Sequence, residues 1–116
     1  MGIFYSNFQT FETLLLSAGA TSASGTFRIS GSAQDMGDCM VTNAGPNHAF
    51  IGFGASAKGA VTAQVPTSTG ALNATPILAG QTIVFNKNTM PMGADTIAAI
   101  TAGGSTTLYA TSGRGA

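Results

Sequence analysis

One thiol, one imidazole and a pair of nearby carboxylates are the groups in this 116-residue chain with the clearest means to do chemistry. A catalytic Cys39 would need His48 beside it as a base and a third group to orient that base. The plainer reading is a buried thiol, because free cysteine packs as a small hydrophobe. With only one cysteine no intrachain disulfide forms. His48 is the only histidine, so no multi-histidine metal site can be assembled, and zinc would find few other ligands. Asp35-Met36-Gly37-Asp38 sets two carboxylates in one loop. Calcium takes six to eight oxygens, and Asp and Gly are the ordinary residues of turns, so this tetrapeptide is read as a turn.

Two motifs resemble nucleotide sites and fail on context. Gly52-Phe53-Gly54-Ala55-Ser56-Ala57 has the form G-x-G-x-x-A. A dinucleotide site needs a helix to follow and an acidic residue about 20 positions on. Here Gly59 and the alternation of 61–65 leave no room for the helix, and the next acid is Asp95. Lys58-Gly59 reverses the order that a phosphate loop requires. No Gly-x-Ser-x-Gly elbow marks a nucleophilic serine. Asn73-Ala74-Thr75 is a formal glycosylation sequon within a loop. The expectation is a protein with no catalytic residues, no metal and no cofactor.

The composition agrees with that expectation. Eight residues carry formal charge, four of each sign, which is 7% of the chain. About a quarter is ordinary. Ala, Gly, Ser and Thr fill 61 positions. So little charge favours association over free diffusion. The four cations are scattered, so nucleic acid has no electrostatic footprint to meet. No apolar run is long enough to span a membrane. Met1-Gly2-Ile3-Phe4 lacks the cationic start of a secretory signal, so synthesis in the cytoplasm is expected.

The pattern along the chain is mostly of period two. Residues 1–25 are the exception. Ser6-Asn7-Phe8-Gln9 has the form of a capping box, and Phe8, Phe11 and Leu15 recur at helical spacing. A short helix over 7–18 is one reading. The other is an extended arm that ends in the small-residue linker Ala18–Gly25. From Thr26 the chain alternates. Strands are expected at 26–30, at 38–54 as one hairpin about Asn43-Ala44-Gly45-Pro46-Asn47, and at 59–65. Pro76-Ile77-Leu78 suits a short edge strand. Further strands are expected at 81–86, at 96–101 as a central strand, and at 105–111 with Leu108 and Tyr109 on opposite faces. Ser112–Ala116 reads as a flexible tail. The fold expected is all-β, an antiparallel sandwich or jelly roll of seven to eight short strands. Residues 1–25 are its N-terminal arm or helix with linker, and 26–116 the sandwich domain.

Phe4, Tyr5, Phe8 and Phe11 crowd four of nine aromatics into the first eleven positions. Either they fold back onto the sheet as core, or they anchor the chain to a neighbouring subunit, since aromatics carry much interface energy. Met90 and Met92 flank Pro91 as a softer contact pair of the same kind. Charge is also absent from 59–86, and Glu12 is alone in the first 25 residues.

Residues 26–115 resemble a family of small β-sandwich proteins encoded among tailed-phage virion genes. The resemblance is carried by Thr26–Ser30, by Asp38–Gly45 turning into Asn47–Ile51, by Pro76–Gly80 before Ile83–Phe85, and by Thr96–Ile100 and Ser105–Thr111 with the Gly113-Arg114-Gly115 tail. It implies a capsid decoration, or cement, protein. Such a protein sits on the outside of the virion shell as a trimer or dimer, bridges major capsid protein subunits and stabilises their contacts. It implies no catalytic residues, and the scattered cations and short apolar runs lead to the expectation of no nucleic-acid partner and no membrane. A carbohydrate- or receptor-binding module of a phage tail fibre is the alternative, because one sandwich fold hosts both roles. The absence of Trp weighs mildly against sugar binding.

Overall fold

A computed structural model describes residues 9–28, 37–66, 74–91 and 93–114. Eight strands follow in chain order: β1 (Gln9–Ala18), β2 (Ala23–Thr26), β3 (Asp38–Asn43), β4 (Ala49–Gly54), β5 (Thr75–Ile77), β6 (Thr82–Phe85), β7 (Thr96–Ile100) and β8 (Thr106–Arg114). They form two four-stranded sheets, ordered β1-β8-β3-β6 and β2-β7-β4-β5. The all-β antiparallel sandwich expected from the sequence is the fold of the chain.

The pairings have a simple logic. β1 pairs with β8, β2 with β7, β3 with β6 and β4 with β5, all antiparallel. The chain is thus one long ribbon doubled back on itself, with its two ends at β1 and β8 and its tip at β4 and β5. Two further pairings, β3 with β8 and β4 with β7, sew the wound ribbon into the two sheets.

Between the sheets lies a core of Leu16, Val41, Ile51, Ile77, Ile97 and Leu108, with Phe27 and Cys39 among them. Phe53 of β4 meets Phe85 of β6 edge to face, ring centres 5.0 Å apart, and so ties one sheet to the other. Such a pair contributes about 0.5–1.5 kcal/mol beyond its burial.

Several sequence expectations hold. β5 is an outer strand carrying Pro76. β7 lies between β2 and β4 and is buried on both faces over Thr96–Ala99. Leu108 is buried and Tyr109 exposed on β8.

Others are corrected. Gln9–Ala18 is a strand rather than a helix, and it pairs along its length with β8. A bulge between Thr10 and Glu12 breaks its alternation, which let the Phe11–Leu15 spacing read as helical. Beyond the bulge Leu14, Leu16 and Ala18 turn inward while Thr13, Leu15 and Ser17 turn out. The stretch 18–25 is not a linker between an arm and a domain, since it holds most of β2. Its small residues serve packing: a Cβ on Gly25 would lie 3.1 Å from Leu14 and 3.3 Å from Leu16. The strand expected at 26–30 lies earlier, at Ala23–Thr26, and 29–36 fall outside the described residues.

Residues 38–54 are not a hairpin. β3 and β4 belong to different sheets, so the Asn43–His48 connection is an arch across the sandwich. A strand–turn–strand pattern is the same for both cases. Residues 61–65 alternate in burial as expected, with Ala63 buried, yet join no ladder. The Ala63 N–H donates to the Ser22 hydroxyl instead, at 2.9 Å. Alternation reports which side faces the core and not whether the backbone is paired. Lastly, Ser112 and Gly113 are buried residues of β8 and not part of a tail.

Candidate contact surface

The register sets the outward side chains of the first sheet in rows. Thr13, Thr111, Met40 and Val84 lie side by side across β1, β8, β3 and β6. Leu15, Tyr109, Thr42 and Thr82 form the next row, and Ser17 and Thr107 begin a third. Leu15 is 63% exposed and Tyr109 42%, with Val84 also exposed. Hydroxyls on this face satisfy one another across strands: Thr13 with Thr111 at 2.8 Å and Thr42 with Thr82 at 2.9 Å. None of these ten residues carries a charge.

The charged residues among those described are gathered at one end of the sandwich. Glu12 lies in the first half of β1 opposite Ser112, and Asp38 begins β3 opposite Gly113. The Lys87 N–H donates to Asp38 at 2.7 Å. The Arg28 N–H donates to Glu12 at 2.6 Å and so links this end of one sheet to the same end of the other. There Asp95 precedes β7 and accepts from the Ser56 N–H, two residues before Lys58. Arg114 ends β8 at that pole as well. The opposite end carries the connections 19–22, 44–48, 78–81 and 101–105, where His48 is the one titratable side chain.

Asp95 is held by three donors. Its carboxylate accepts from the Ser56 N–H at 2.8 Å, the Ser56 hydroxyl at 2.7 Å and the Thr96 hydroxyl at 2.9 Å. Burial pushes its pKa up, but these donors outweigh it and hold the carboxyl below the usual range. A depressed folded pKa gives stability that is present above the unfolded value, about 3.9, and is lost as pH falls through the folded one. Asp95→Asn removes the charge and keeps an oxygen for the donors. The variant is expected to be less stable than the parent at pH 7, with the gap closing at pH 3. Urea melts at both pH values check this, and an equal gap at both would refute it.

The residues that looked reactive are structural. Cys39 is fully buried, and desolvation by burial pushes its thiol up to about 12. A thiol-specific disulfide reagent should leave the native protein unlabelled and react with one thiol per chain in denaturant. Labelling of the native protein within minutes would show the opposite. His48 is exposed, and its Nδ1 accepts from the Ala79 N–H at 3.0 Å, which places the proton of the neutral ring on Nε2. Asp38 is a buried strand residue rather than a turn residue, while Asp35 and Asn73 lie outside the described residues. Among the described residues no cluster of His, Cys, Asp or Glu could hold a metal. After Gly54 the chain makes a short 3-10 turn at Ser56–Lys58 where a dinucleotide site needs a helix.

Of the expected contact residues, Phe4, Tyr5, Phe8 and Met92 lie outside the described residues, as does the side chain of Phe11. Met90 is half-buried against the core, so it is largely committed to the fold. It also lines a groove of about 430 Å³ at the charged end, with Gly37, Lys87, Pro91 and Ala94. Sequence reasoning missed the face built on Leu15, Met40, Val84 and Tyr109. Its signal was that every second residue of 13–17, 40–42, 82–84 and 107–111 is in turn Thr or Ser and a larger apolar residue. No helix among the described residues is long and apolar enough to cross a membrane. No protein family, curated protein or solved structure matches the chain.

Proposed function

We propose that this protein is a structural virion protein, a decoration or cement protein that binds the outside of a phage shell and stabilises contacts between major capsid protein subunits. The observation that carries this reading is the outer face of the β1-β8-β3-β6 sheet, whose rows through Thr13, Leu15 and Ser17 carry no charge, while Asp38, next in phase after Met40, is buried. Such a face docks on protein without desolvating a charge, whose burial costs several kcal/mol when unpaired. Exposed Leu15, Tyr109 and Val84 among hydroxyls supply an apolar centre. The folded-ribbon strand order supports the finer description of the sandwich as a jelly roll of two Greek keys. The protein performs no catalysis and needs no cofactor. Each copy contributes a modest contact, and the symmetry of the shell multiplies it.

The tail-fibre reading draws less support. Sugar sites usually want exposed aromatics, and Tyr109 is the one exposed aromatic among side chains described. A density map of virions containing the protein tests the proposal. It is expected to show many symmetric copies outside the shell with the β1-β8-β3-β6 sheet toward the capsid subunits. Density at the tail alone, with reproducible glycan binding, would move the function to host attachment.

A further inference from the structure

Among the described residues the two sheets have four outer strands, and these are not equally available for pairing. β5 has three residues, one of them Pro76, which has no N–H to offer. β2 and β6 have four residues each. β1 has ten. A long outer strand with few charges is a template for another strand, and β1 carries one charge, Glu12.

The sequence of β1 says which strand. About Leu15 it reads Thr13-Leu14-Leu15-Leu16-Ser17, hydroxyl, three leucines, hydroxyl, nearly the same in both directions. Two identical strands paired antiparallel about a two-fold axis require this symmetry, because residue i meets j and j meets i. Centred on Leu15, the pairing sets Leu15 against Leu15, Leu14 against Leu16, Thr13 against Ser17 and Glu12 against Ala18. Leucines that turn inward meet leucines, and outward hydroxyls meet hydroxyls. Centring one residue away sets hydroxyls against leucine on the outer face. A half-step register opposes inward and outward residues, which the pleat forbids. Electrostatics agrees as well. The two Glu12 carboxylates would stand about six residues apart, roughly 20 Å, beyond the screening length of about 8 Å in physiological salt.

We infer that two copies of this chain associate through β1, antiparallel and centred on Leu15, into a continuous eight-stranded sheet ordered β6-β3-β8-β1-β1-β8-β3-β6. The axis stands perpendicular to the sheet, so the two uncharged faces lie on one side and form a single surface of twice the width. The inference rests on the strand alone and not on the shell reading. It is tested on free protein, whereas shell occupancy tests the face.

Leu15→Cys places a thiol on the axis, and native Cys39 is buried and does not compete. Directly opposed residues have Cα atoms about 4.5 or 5.5 Å apart, within the span of a disulfide. Mild oxidation of the full-length variant is expected to give a disulfide-linked dimer as the main product. Ser17→Cys alone should give little, since its mate is Thr13, while an equimolar mixture of Ser17→Cys and Thr13→Cys should cross-link. Leu15→Lys sets like charges on the axis at an exposed position. It is expected to weaken dimerisation at least tenfold in sedimentation equilibrium, with an unchanged far-ultraviolet dichroism spectrum. A Leu15→Cys variant that stays monomeric overturns the inference. So does Ser17→Cys linking to itself as readily as Leu15→Cys, or a Leu15→Lys variant that dimerises like the parent.

Discussion

Asn43→Ala is expected to destabilise the sandwich by about 3 kcal/mol or more, a large share of the roughly 5–15 kcal/mol that holds a domain of this size together. Asn43 ends β3 and is fully buried. Its amide nitrogen donates to the carbonyls of Asn47 at 2.9 Å and Ile77 at 3.0 Å. Its amide oxygen accepts from the Gly45 N–H at 2.9 Å and the Thr106 hydroxyl at 2.7 Å. All four hydrogen-bonding positions of the side chain are therefore used. The backbone is committed too, its N–H to Gln81 and its carbonyl to Gly80. The partners belong to β5, β8 and the β3–β4 and β5–β6 connections, so one residue closes the uncharged end and ties the sheets there. Alanine leaves the Ile77 carbonyl and the Thr106 hydroxyl buried without it, each costing about 1–3 kcal/mol. Thr106→Val removes one of these bonds and should cost about 1 kcal/mol. Equilibrium denaturation of both variants checks the claim. If Asn43→Ala cost no more than Thr106→Val, the clamp would have no energetic standing.

The same end shows why some glycines are fixed. Gly104 has φ +72°, and a Cβ there would lie 2.5 Å from the Asn47 amide nitrogen. That amide donates to the Ser105 carbonyl at 2.8 Å. The sequence marks Ala102-Gly103-Gly104 as a tight connection, but not that Asn47 from another loop closes over it.

What was legible in the sequence was local periodicity, and what was not was pairing across distance. β7 announced itself by being apolar on both faces, and β5 by Pro76 at an edge. The arch at 43–48 looked like a hairpin because only long-range order separates the two. β1 was obscured by its bulge, and Leu15, read as one turn of a helix, proved to face solvent. The polarity of the charges was legible in principle. The described ones fall near the start of β1, at the start of β3, at the end of β8 or in the connections that follow β2, β4 and β6. The intervening connections have none. Reading that requires knowing that successive connections alternate between the ends of the sandwich, which follows from antiparallel strands alone.

The uncharged face yields the prediction with the largest functional effect. Tyr109 lies on β8 inside the sheet, flanked by Leu15 on β1 and Thr42 on β3. Its side chain is 42% exposed, so replacing it should leave the fold nearly intact. A buried tyrosine at an interface centre typically contributes about 2 kcal/mol or more, so, on the proposal that this face docks on shells, Tyr109→Ala should weaken that binding roughly thirtyfold. Tyr109→Lys adds an unpaired charge to rows of side chains that have none, and burying it costs several kcal/mol more. The lysine variant should therefore fail to decorate shells at concentrations that saturate the parent. Lys58→Glu, a charge reversal at the charged end, should bind like the parent. Cosedimentation with undecorated shells, alongside melting curves for each variant, separates loss of contact from loss of fold. Parent-like occupancy by a folded Tyr109→Lys would exclude this face from the contact. Loss of binding by Lys58→Glu alone would place the docking surface at the charged end, where the Met90 groove lies.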